Sequence, residues 1–355
     1  MREDSARAVW CYLMRHINIP IFIPHLGCPN TCVFCNQRTI SGVCEFDPDS
    51  VRTEIETALK TAVECECEIA FFGGSFTGID RNLMIELLKI ASEYVVSGRV
   101  KSIRCSTRPD YINDEILSIL KKYHVSVIEL GLQSVSDGVL FATRRGHDSR
   151  DEERATSLIK QYGFKLGGQM MIGLPSSTVD DEIKTAEFIV KSGCDIARIY
   201  PTIVFRDTEL CNMSKIGSYT PLDLDDAVER SYRAFRVLVD GGVRVIRIGL
   251  CDSENLHADS TYFAGPNHPA MGEMVINRYY LEKIREGIAK FPKDNTKRVN
   301  IYIPRGHMSK AVGQNKRNKS ILLEEFSGLE IKFSELDSLS EYEVLLEKDG
   351  KKICI

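Results

Sequence analysis

Six continuous apolar runs, each followed by an amphipathic pattern with helical spacing, constrain the fold of this chain more than any other feature. The runs span Ile19–Gly27, Cys67–Gly74, Val100–Thr107, Ser126–Ser134, Lys165–Pro175 and Asp195–Thr202, with a seventh candidate at Val243–Gly249. Continuous apolar runs are typical of parallel strands that are covered on both faces. The repeated units predict the α/β class, as a partial (β/α)6-type TIM-like barrel with its chemistry at the carboxyl ends of the strands.

A shift in composition near Gly265 divides the chain into two parts. The turn-rich segment "GPNHPA" is followed by a helix pattern, a strand, a further helix and two strands, "LEIKFSE" and "EYEVLLEKDGKKICI". We therefore predict a core domain over residues 14–268 and a small α+β domain over residues 269–355. The residues before Met14 carry no clear strand or helix pattern, so Met14 is a candidate start.

Composition excludes several classes of protein. The 355 residues are 43% hydrophobic and 27% charged, as in ordinary globular proteins, so disorder is not expected. The sequence has neither an apolar run long enough to span a membrane nor a secretory leader, which predicts a cytoplasmic protein without a membrane partner. Disulfides are rare in that compartment, so some of the twelve cysteines are expected to bind metal. Cys105, Cys194 and Cys251 lie in or beside apolar runs and are interpreted as core residues.

A cysteine triplet follows the first strand pattern in "GCPNTCVFC", where Cys28, Cys32 and Cys35 are separated by three residues and then two. Three thiolates on one short loop can bind three irons of a cubane cluster and leave the fourth iron open. The alternative is a structural zinc site with His25 as the fourth ligand, although zinc sites favour paired cysteine knuckles from two segments.

The triplet, with the aromatic residue Phe34 before its last cysteine, resembles the signature of the radical S-adenosylmethionine (SAM) superfamily. The resemblance implies a [4Fe–4S] cluster on the three cysteines and SAM on the open iron. It further implies reductive cleavage of SAM to a 5′-deoxyadenosyl radical, with a reductant such as ferredoxin or flavodoxin. By the same resemblance Phe34 lies near the adenine.

Polar or glycine residues stand at the ends of the next four strand patterns. They are interpreted as SAM-binding residues, the first three by resemblance to a family motif that binds the methionine amine: Gly73, Gly74, Ser75, Ser106, Gln133 and Gln169. Arg145, twelve residues after Gln133, is expected to pair with the methionine carboxylate, because its planar guanidinium matches a carboxylate. Glu129 and Arg198 also lie near strand ends, but the sequence assigns them no role.

Longer strings, among them "LGLQSVSDGVLFATRRGHD" and "GGQMMIGLP", resemble the radical domain of the elongator catalytic subunit over roughly residues 19–275. That subunit carries a further acetyltransferase domain, and the residues that remain here are too few for one at normal domain sizes. Gln133, Arg145 and His147 also resemble positions of oxygen-independent coproporphyrinogen oxidase. In that resemblance Phe22 would line the cofactor, but we favour a core position for it.

A basic segment over residues 305–319, in "YIPRGHMSKAVGQNKRNKS", contains five cations and no acidic residue: Arg305, Lys310, Lys316, Arg317 and Lys319. The order of strand, glycine-containing loop and helix resembles a KH module, which clamps a nucleic-acid backbone. Lys316 replaces the second glycine of that loop. The segment predicts contact with tRNA or another RNA, and the alternative is a solvated helix face.

The leading interpretation is therefore a radical SAM enzyme that modifies RNA, with tRNA the expected substrate. Radical chemistry on a small molecule such as a tetrapyrrole is the second interpretation. The third is an RNA-binding protein that keeps a cluster only for structure.

Overall fold

The structure is a computed structural model that describes residues 15–23, 26–28, 32–41, 45–62, 65–250, 260–292 and 298–355. His25, Cys251 and the candidate start at Met14 lie outside the described residues. In the described helices, no segment is both long and apolar enough to cross a membrane.

The apolar runs form one seven-stranded parallel sheet. Its strands are β1 (Arg15–Ile23), β2 (Cys65–Gly73), β3 (Ser102–Thr107), β4 (Val125–Gln133), β5 (Lys165–Ile172), β6 (Ile196–Pro201) and, after a two-residue strand β7 (Val204–Phe205), β8 (Arg244–Ile248). They pair in the order β1-β2-β3-β4-β5-β6-β8. The predicted partial TIM-like barrel is confirmed, and the seventh candidate run joins its sheet.

Amphipathic patterns fill the connections as helices. Their bounds are α1 (Gln37–Ser41), α2 (Val51–Thr61), α3 (Arg81–Val96), α4 (Asp114–Lys122), α5 (Asp137–Ala142), α6 (Ser149–Gln161), α7 (Val179–Lys191), α8 (Glu209–Lys215) and α9 (Leu224–Asp240). Side chains of Asp80, Asn113 and Asp148 accept hydrogen bonds from the first-turn amides of α3, α4 and α6. Such caps satisfy amides that have no partner inside the helix, which explains why the helices begin where they do.

The described chain divides into two compact units. The first comprises the described residues up to Gln169 together with 191–196 and 207–209, and the second comprises 170–190, 197–206 and the described residues from Leu210 onward. In the first unit, β1 to β4 pair in parallel, from Arg15↔Cys65 to Thr107↔Leu130, with a register shift between Ile103 and Arg104 where β3 meets β4. Parallel pairing places the carboxyl ends of these strands at one edge, so their terminal residues are neighbours.

The second unit contains a separate four-stranded sheet, which agrees with the predicted small α+β domain. Its elements, preceded by β9 (Tyr262–Ala264), are α10 (Met271–Ala289), β10 (Arg298–Pro304), α11 (Met308–Val312), α12 (Arg317–Glu325), β11 (Glu330–Leu336), β12 (Leu345–Lys348) and β13 (Lys351–Cys354). Buried apolar residues of α10, β10 and β12, among them Ile284, Ile301 and Leu346, form its core. The predicted boundary at residues 268/269 stays a prediction.

One strand prediction is wrong in this sheet. The run "EYEVLLEKDGKKICI" is not one strand but the hairpin of β12 and β13, joined at Asp349 and Gly350. Both turn residues have positive φ, 51° and 77°. A two-residue Asp-Gly turn favours this geometry because its twist matches the twist of the paired strands.

Candidate functional site

The cysteine-bearing loop lies against the end of β2. The amide of Gly74 donates to the carbonyl of Ile23 at 2.8 Å, and the amide of Ser75 donates to the carbonyl of Leu26 at 3.2 Å. A Cβ on Gly27, whose φ is +73°, would lie 2.2 Å from the Ser75 carbonyl oxygen. Glycine is therefore required there, and its close approach places Cys28 beside the strand end.

The three cysteines of the triplet are free thiols. Cys32 is buried and the other two are half-buried, and the amide of Cys35 donates to the carbonyl of Cys32 at 3.0 Å. Burial raises the pKa of the Cys28 thiol, and the neighbouring Cys32 raises it further. The same two causes, in the same order, raise the pKa of Cys35 to about 12. Cys28 and Cys35 are thus electrostatic neighbours of Cys32, and bound metal would be needed to hold these two as thiolates at neutral pH.

Within the described ranges, no set of three or more His, Cys, Asp and Glu side chains is spaced to hold a single metal ion. A zinc site on one ion draws all its ligands to about 2.0–2.3 Å from that ion. A cubane cluster instead holds each thiolate on a different iron, so its cysteines are spaced more widely. The donor set of three thiols on one loop fits the cluster chemically.

Two buried guanidinium groups face the thiols. Arg145, 6% exposed, places Nη1 3.4 Å from the Cys32 Sγ, while its Nη2 donates to the carbonyl of Gly131. Arg108, 4% exposed, pairs with Asp110 at 2.9 Å and interacts electrostatically with Cys28 and Cys32. Two cations beside three thiols give the pocket a positive field, which fits an anionic occupant.

Two polar atoms near the thiols are buried without a hydrogen-bond partner among the described residues: Arg145 Nε and Gln133 Oε1. Gln133 stands at the end of β4 with a φ of +69°. Buried polar atoms are nearly always paired, so each orphan indicates a group that is missing from its surroundings. One donor and one acceptor left over beside the thiols fit a small polar ligand.

The two glycines at the end of β2 pack against the backbone of β1 and of the cysteine-bearing loop. A Cβ on Gly73 would lie 2.7 Å from the Ile23 carbonyl oxygen, and one on Gly74 would lie 2.2 Å from the Leu26 carbonyl oxygen. Their immediate role is to admit the cysteine loop, and their contact with SAM stays a prediction. Ser75 is 1% exposed, and its Oγ bonds Thr107 Oγ1 at 2.7 Å and accepts from the Arg108 amide at 3.2 Å. Its side chain is thus committed to holding strand ends together.

The structure brings two other predicted residues into contact. Gln169 Nε2 donates to Ser106 Oγ at 3.1 Å and to Glu129 Oε2 at 3.0 Å. Ser106 lies next to the carboxyl end of β3, whereas Glu129 and Gln169 lie in the middle of β4 and β5, so the strand-end position predicted for Gln169 is wrong. Phe34 is half-buried on the cysteine loop, and Phe22 is half-buried on β1 with its ring tilted against Phe72. Their distance to a cofactor stays a prediction.

Sequence reasoning missed a buried pair beside Arg145. His147 Nε2 lies 3.1 Å from Glu152 Oε1, and both side chains are fully buried. Burial lowers the pKa of His147 to about 3 and raises the pKa of Glu152 to about 9, so the two form a neutral pair at neutral pH. Only Gly146 separates Arg145 from His147, so this pair fixes the loop that carries Arg145. A buried glutamate on an amphipathic helix gives no sequence signal.

The basic segment 305–319 occupies the connection between β10 and β11. The order is β10, α11, a loop from Gly313 to Lys316, α12 and then β11, which pairs parallel to β10. Gly313 has φ +80°, and a Cβ there would lie 2.9 Å from the Asn318 amide nitrogen. Lys316, where the KH pattern has its second glycine, takes the left-handed conformation with φ 62°. The backbone therefore keeps a glycine-like geometry at both positions.

The cations of this segment differ in their partners. Arg305 is exposed and lies 3.7 Å from Asp337. In the part of the chain that the structure describes, no acid lies within 4.0 Å of the other four, Lys310, Lys316, Arg317 and Lys319. Lys316 and Arg317 are exposed at the start of α12, which has no side-chain cap. Unpaired cations at an uncapped helix start favour anions.

Two family models match the sequence. Residues 22–189 match the Radical SAM superfamily, and residues 194–281 match the Radical SAM C-terminal domain. The first match includes the cysteine triplet and all the residues predicted to bind SAM.

Individual relatives agree with these matches. A tRNA uridine(34) acetyltransferase of Methanocaldococcus jannaschii is 30% identical over 158 residues, which cover 44% of this chain and 29% of that protein. Elongator complex protein 3 of Bos taurus is 35% identical over 152 residues, covering 41% and 27%. The chain therefore spans less than a third of the length of these two relatives. The solved structure of the archaeal Methanocaldococcus infernus Elp3 with an N-terminal deletion superposes with a TM-score of 0.60 at 23% identity, covering 76% of this chain and 63% of that one, and shares its fold.

Proposed function

We propose, from the premise that this chain belongs to the radical SAM superfamily, that Cys28, Cys32 and Cys35 hold its cluster and that the adjacent strand ends bind SAM. The chain is a radical SAM enzyme related to the elongator radical domain, and the cofactors of its family are a [4Fe–4S] cluster and SAM. When bound, the cluster supplies the electron that cleaves SAM. The residues of this chain bind and orient the two cofactors.

The observation that carries the cofactor proposal is the position of Arg145. Its Nη1 donates to the Cys32 sulfur, while its buried Nε has no partner within the part of the chain that the structure describes. A guanidinium beside the open side of a cluster can donate to the methionine carboxylate of SAM. The unpaired Oε1 of Gln133 would accept from the same molecule. Phe34, Gly73, Gly74, Ser75, Ser106 and Gln169 complete the proposed SAM site.

Anaerobic reconstitution of the full chain with iron and sulfide tests the proposal. We expect about four irons per chain for one cubane, and 5′-deoxyadenosine when dithionite and SAM are added. Substitution of Cys28, Cys32 or Cys35 by alanine should abolish both. Cys105→Ala is the matched control, because Cys105 is an equally free but fully buried cysteine on β3. Iron content that survives in all three triplet variants would overturn the assignment.

The proposed substrate is RNA, with tRNA the first candidate, bound in part by segment 305–319. Two observations support RNA. The relatives named above include a tRNA uridine(34) acetyltransferase. The segment also combines four cations that have no acid within 4.0 Å among the described residues with a strand–helix–loop–helix–strand order. A KH module uses such an order to clamp a nucleic-acid backbone.

Titration of the full chain with tRNA at several salt concentrations tests the proposed binding of RNA. Each lost phosphate contact on single-stranded RNA lowers the slope of log affinity against log salt by about 0.7. A variant with glutamine at Lys310, Lys316, Arg317 and Lys319 should therefore lose a slope of about 3. Absence of tRNA binding even at low salt would favour radical chemistry on a small molecule. Binding without any 5′-deoxyadenosine would favour an RNA-binding Fe–S protein.

Three further assignments belong to the same proposal. The core domain is placed at residues 14–268 and the small domain at residues 269–355. The chain is proposed to act in the cytoplasm, where a ferredoxin or flavodoxin would reduce the cluster. Limited proteolysis that releases a stable fragment ending near residue 268 would support the boundary.

A further inference from the structure

A buried chain of hydrogen-bonded polar side chains links the neighbouring strands β2, β3, β4 and β5 in the first unit. Arg104 lies at its centre, 7% exposed. Its Nε donates to Glu68 Oε2 at 2.8 Å, and its Nη1 donates to Glu129 Oε1 at 3.1 Å. Glu68 also accepts from Ser102. Both carboxylates are buried, with 6% and 1% exposure, and one guanidinium holds both in place.

Glu129 extends this chain to the proposed SAM site. While its Oε1 accepts from Arg104, its Oε2 accepts from Gln169 Nε2 at 3.0 Å. The absence of a side chain at Gly167 makes room for it, because a Cβ there would lie 2.9 Å from Glu129 Cγ. The carboxylate is therefore confined from both strands beside it.

This contact determines which way the Gln169 amide points. Its Nε2 has two hydrogens, and the structure directs one to Glu129 and the other to Ser106 Oγ. The reversed amide would turn Oε1 toward an ion-paired carboxylate, which is repulsive. Within the described residues Oε1 has no partner, so only an acceptor is left to face a ligand. Ser106, which accepts from Gln169, keeps its own proton to donate.

We propose that Glu129 is a positioning residue that fixes Gln169 as an acceptor and Ser106 as a donor toward the cofactor. The inference rests on the proposed assignment of Gln169 and Ser106 to the SAM site. SAM carries hydroxyl groups and an ammonium group that donate, and hydroxyl, carboxylate and ring-nitrogen atoms that accept. A donor on Ser106 beside an acceptor on Gln169 matches neighbouring groups of that molecule, and a reversed amide would leave Gln169 with only donors to offer.

The test compares Glu129→Gln with Glu68→Gln in the reconstituted protein. Both remove one carboxylate from Arg104, but only Glu129 contacts Gln169. We expect E129Q to weaken binding of S-adenosylhomocysteine, measured by titration calorimetry, about tenfold, and to raise the KM for SAM more than it lowers kcat. E68Q should bind within about twofold of the wild type, although it also melts at a lower temperature. Equal weakening by both variants would overturn the inference.

A double-mutant cycle with Gln169→Met separates positioning from general damage. In the Q169M background, E129Q should cause no further loss of affinity, because no amide remains to be oriented. A loss as large as in the wild-type background would overturn the inference while leaving the proposed function intact. Failure of the wild type to bind S-adenosylhomocysteine would overturn both. If E129Q does not fold, Gly167→Ala replaces it, since its Cβ would displace the Glu129 carboxylate from Gln169.

Discussion

The arginines of the first unit and the cations of segment 305–319 meet opposite physical conditions. Arg104, Arg108 and Arg145 are at most 7% exposed, and each donates to a named acceptor. In the basic segment Lys316 and Arg317 are exposed and lie near no acid among the described residues. Burying a charge is costly unless it is paired, whereas an exposed charge is stabilised by water.

The difference indicates two ways in which a protein holds an anion. In the first unit the cations are already fixed by carboxylates and carbonyls, so an anionic ligand meets preorganised geometry. In the basic segment the cationic side chains are exposed to solvent, so binding of an anion there relies on the release of counterions and depends on salt. Substitutions in the two regions should therefore differ in their effect on stability, and the following predictions test that contrast.

The largest effect is expected for Arg104→Met. The change removes the cation that Glu68 and Glu129 share and leaves two buried carboxylates without it. Loss of one partner from a buried ion pair costs about 3–5 kcal/mol. Urea unfolding should show that decrease in the free energy of unfolding.

The matched control is Arg99→Met, which breaks the exposed pair of Arg99 with Glu56. A surface pair contributes about 0–1 kcal/mol, so this variant should stay near the wild type. If both arginine variants lost the same free energy of unfolding, burial would not be what distinguishes the two kinds of cation.

The next effect is expected for Gly313→Ala, which lies in the exposed segment but at a buried backbone position. Its φ of +80° disfavours a side chain by about 1–2 kcal/mol, and the contact with the Asn318 amide adds about 1–3 kcal/mol of overpacking. Gly306→Ala is the control, because Gly306 has φ +79° and no atom of the described residues lies within 4 Å of its Cβ position. The melting temperature should fall further for Gly313→Ala. A fall of equal size would mean that backbone conformation, not the close approach, requires the glycine.

The strands and the cysteine loop could be predicted from the sequence, whereas the hydrogen-bond partners of the buried polar side chains could not. Continuous apolar runs indicate parallel strands because burial on both faces excludes polar residues. The role of Ser75 could not be predicted, because the partner that captures its hydroxyl, Thr107, comes from another strand. Likewise no role for Glu129 could be predicted, since Arg104 and Gln169 reach it only after β3, β4 and β5 have paired. The hairpin at Asp349 and Gly350 was predictable, because an Asp-Gly pair between apolar runs signals a turn.

A smaller and pH-dependent effect is expected for Glu152→Gln. In the folded state burial raises the pKa of Glu152 from 4.5 to about 9, so the unfolded chain releases a proton that the folded chain keeps. The free energy of unfolding should therefore fall as pH rises between about 4.5 and 9. Glutamine cannot titrate, so the difference between variant and wild type across urea titrations isolates this contribution.

The partner His147 contributes with the opposite sign. Its pKa is lowered from 6.5 to about 3, so the unfolded chain binds a proton that the folded chain does not, and stability falls as pH drops from about 6.5 toward 3. In E152Q the free energy of unfolding should still fall as pH drops below about 6.5, which is the acid limb of its pH profile. Its fall with rising pH, the alkaline limb, should become shallower. An alkaline limb of unchanged slope in E152Q would show that another group causes it.

The smallest effect on stability is expected for Lys316→Gln, which tests an exposed cation of the basic segment rather than a buried arginine. Lys316 is exposed, and no acid lies within 4.0 Å of it among the described residues, so its removal should change the free energy of unfolding by less than about 0.5 kcal/mol. The slope of log tRNA affinity against log salt should nevertheless decrease by about 0.7, since one phosphate contact is lost. Lys332→Gln, an exposed lysine on β11 outside the segment, should leave both quantities unchanged. A slope that changes equally in the two variants would show that net charge, rather than the loop between α11 and α12, attracts the RNA.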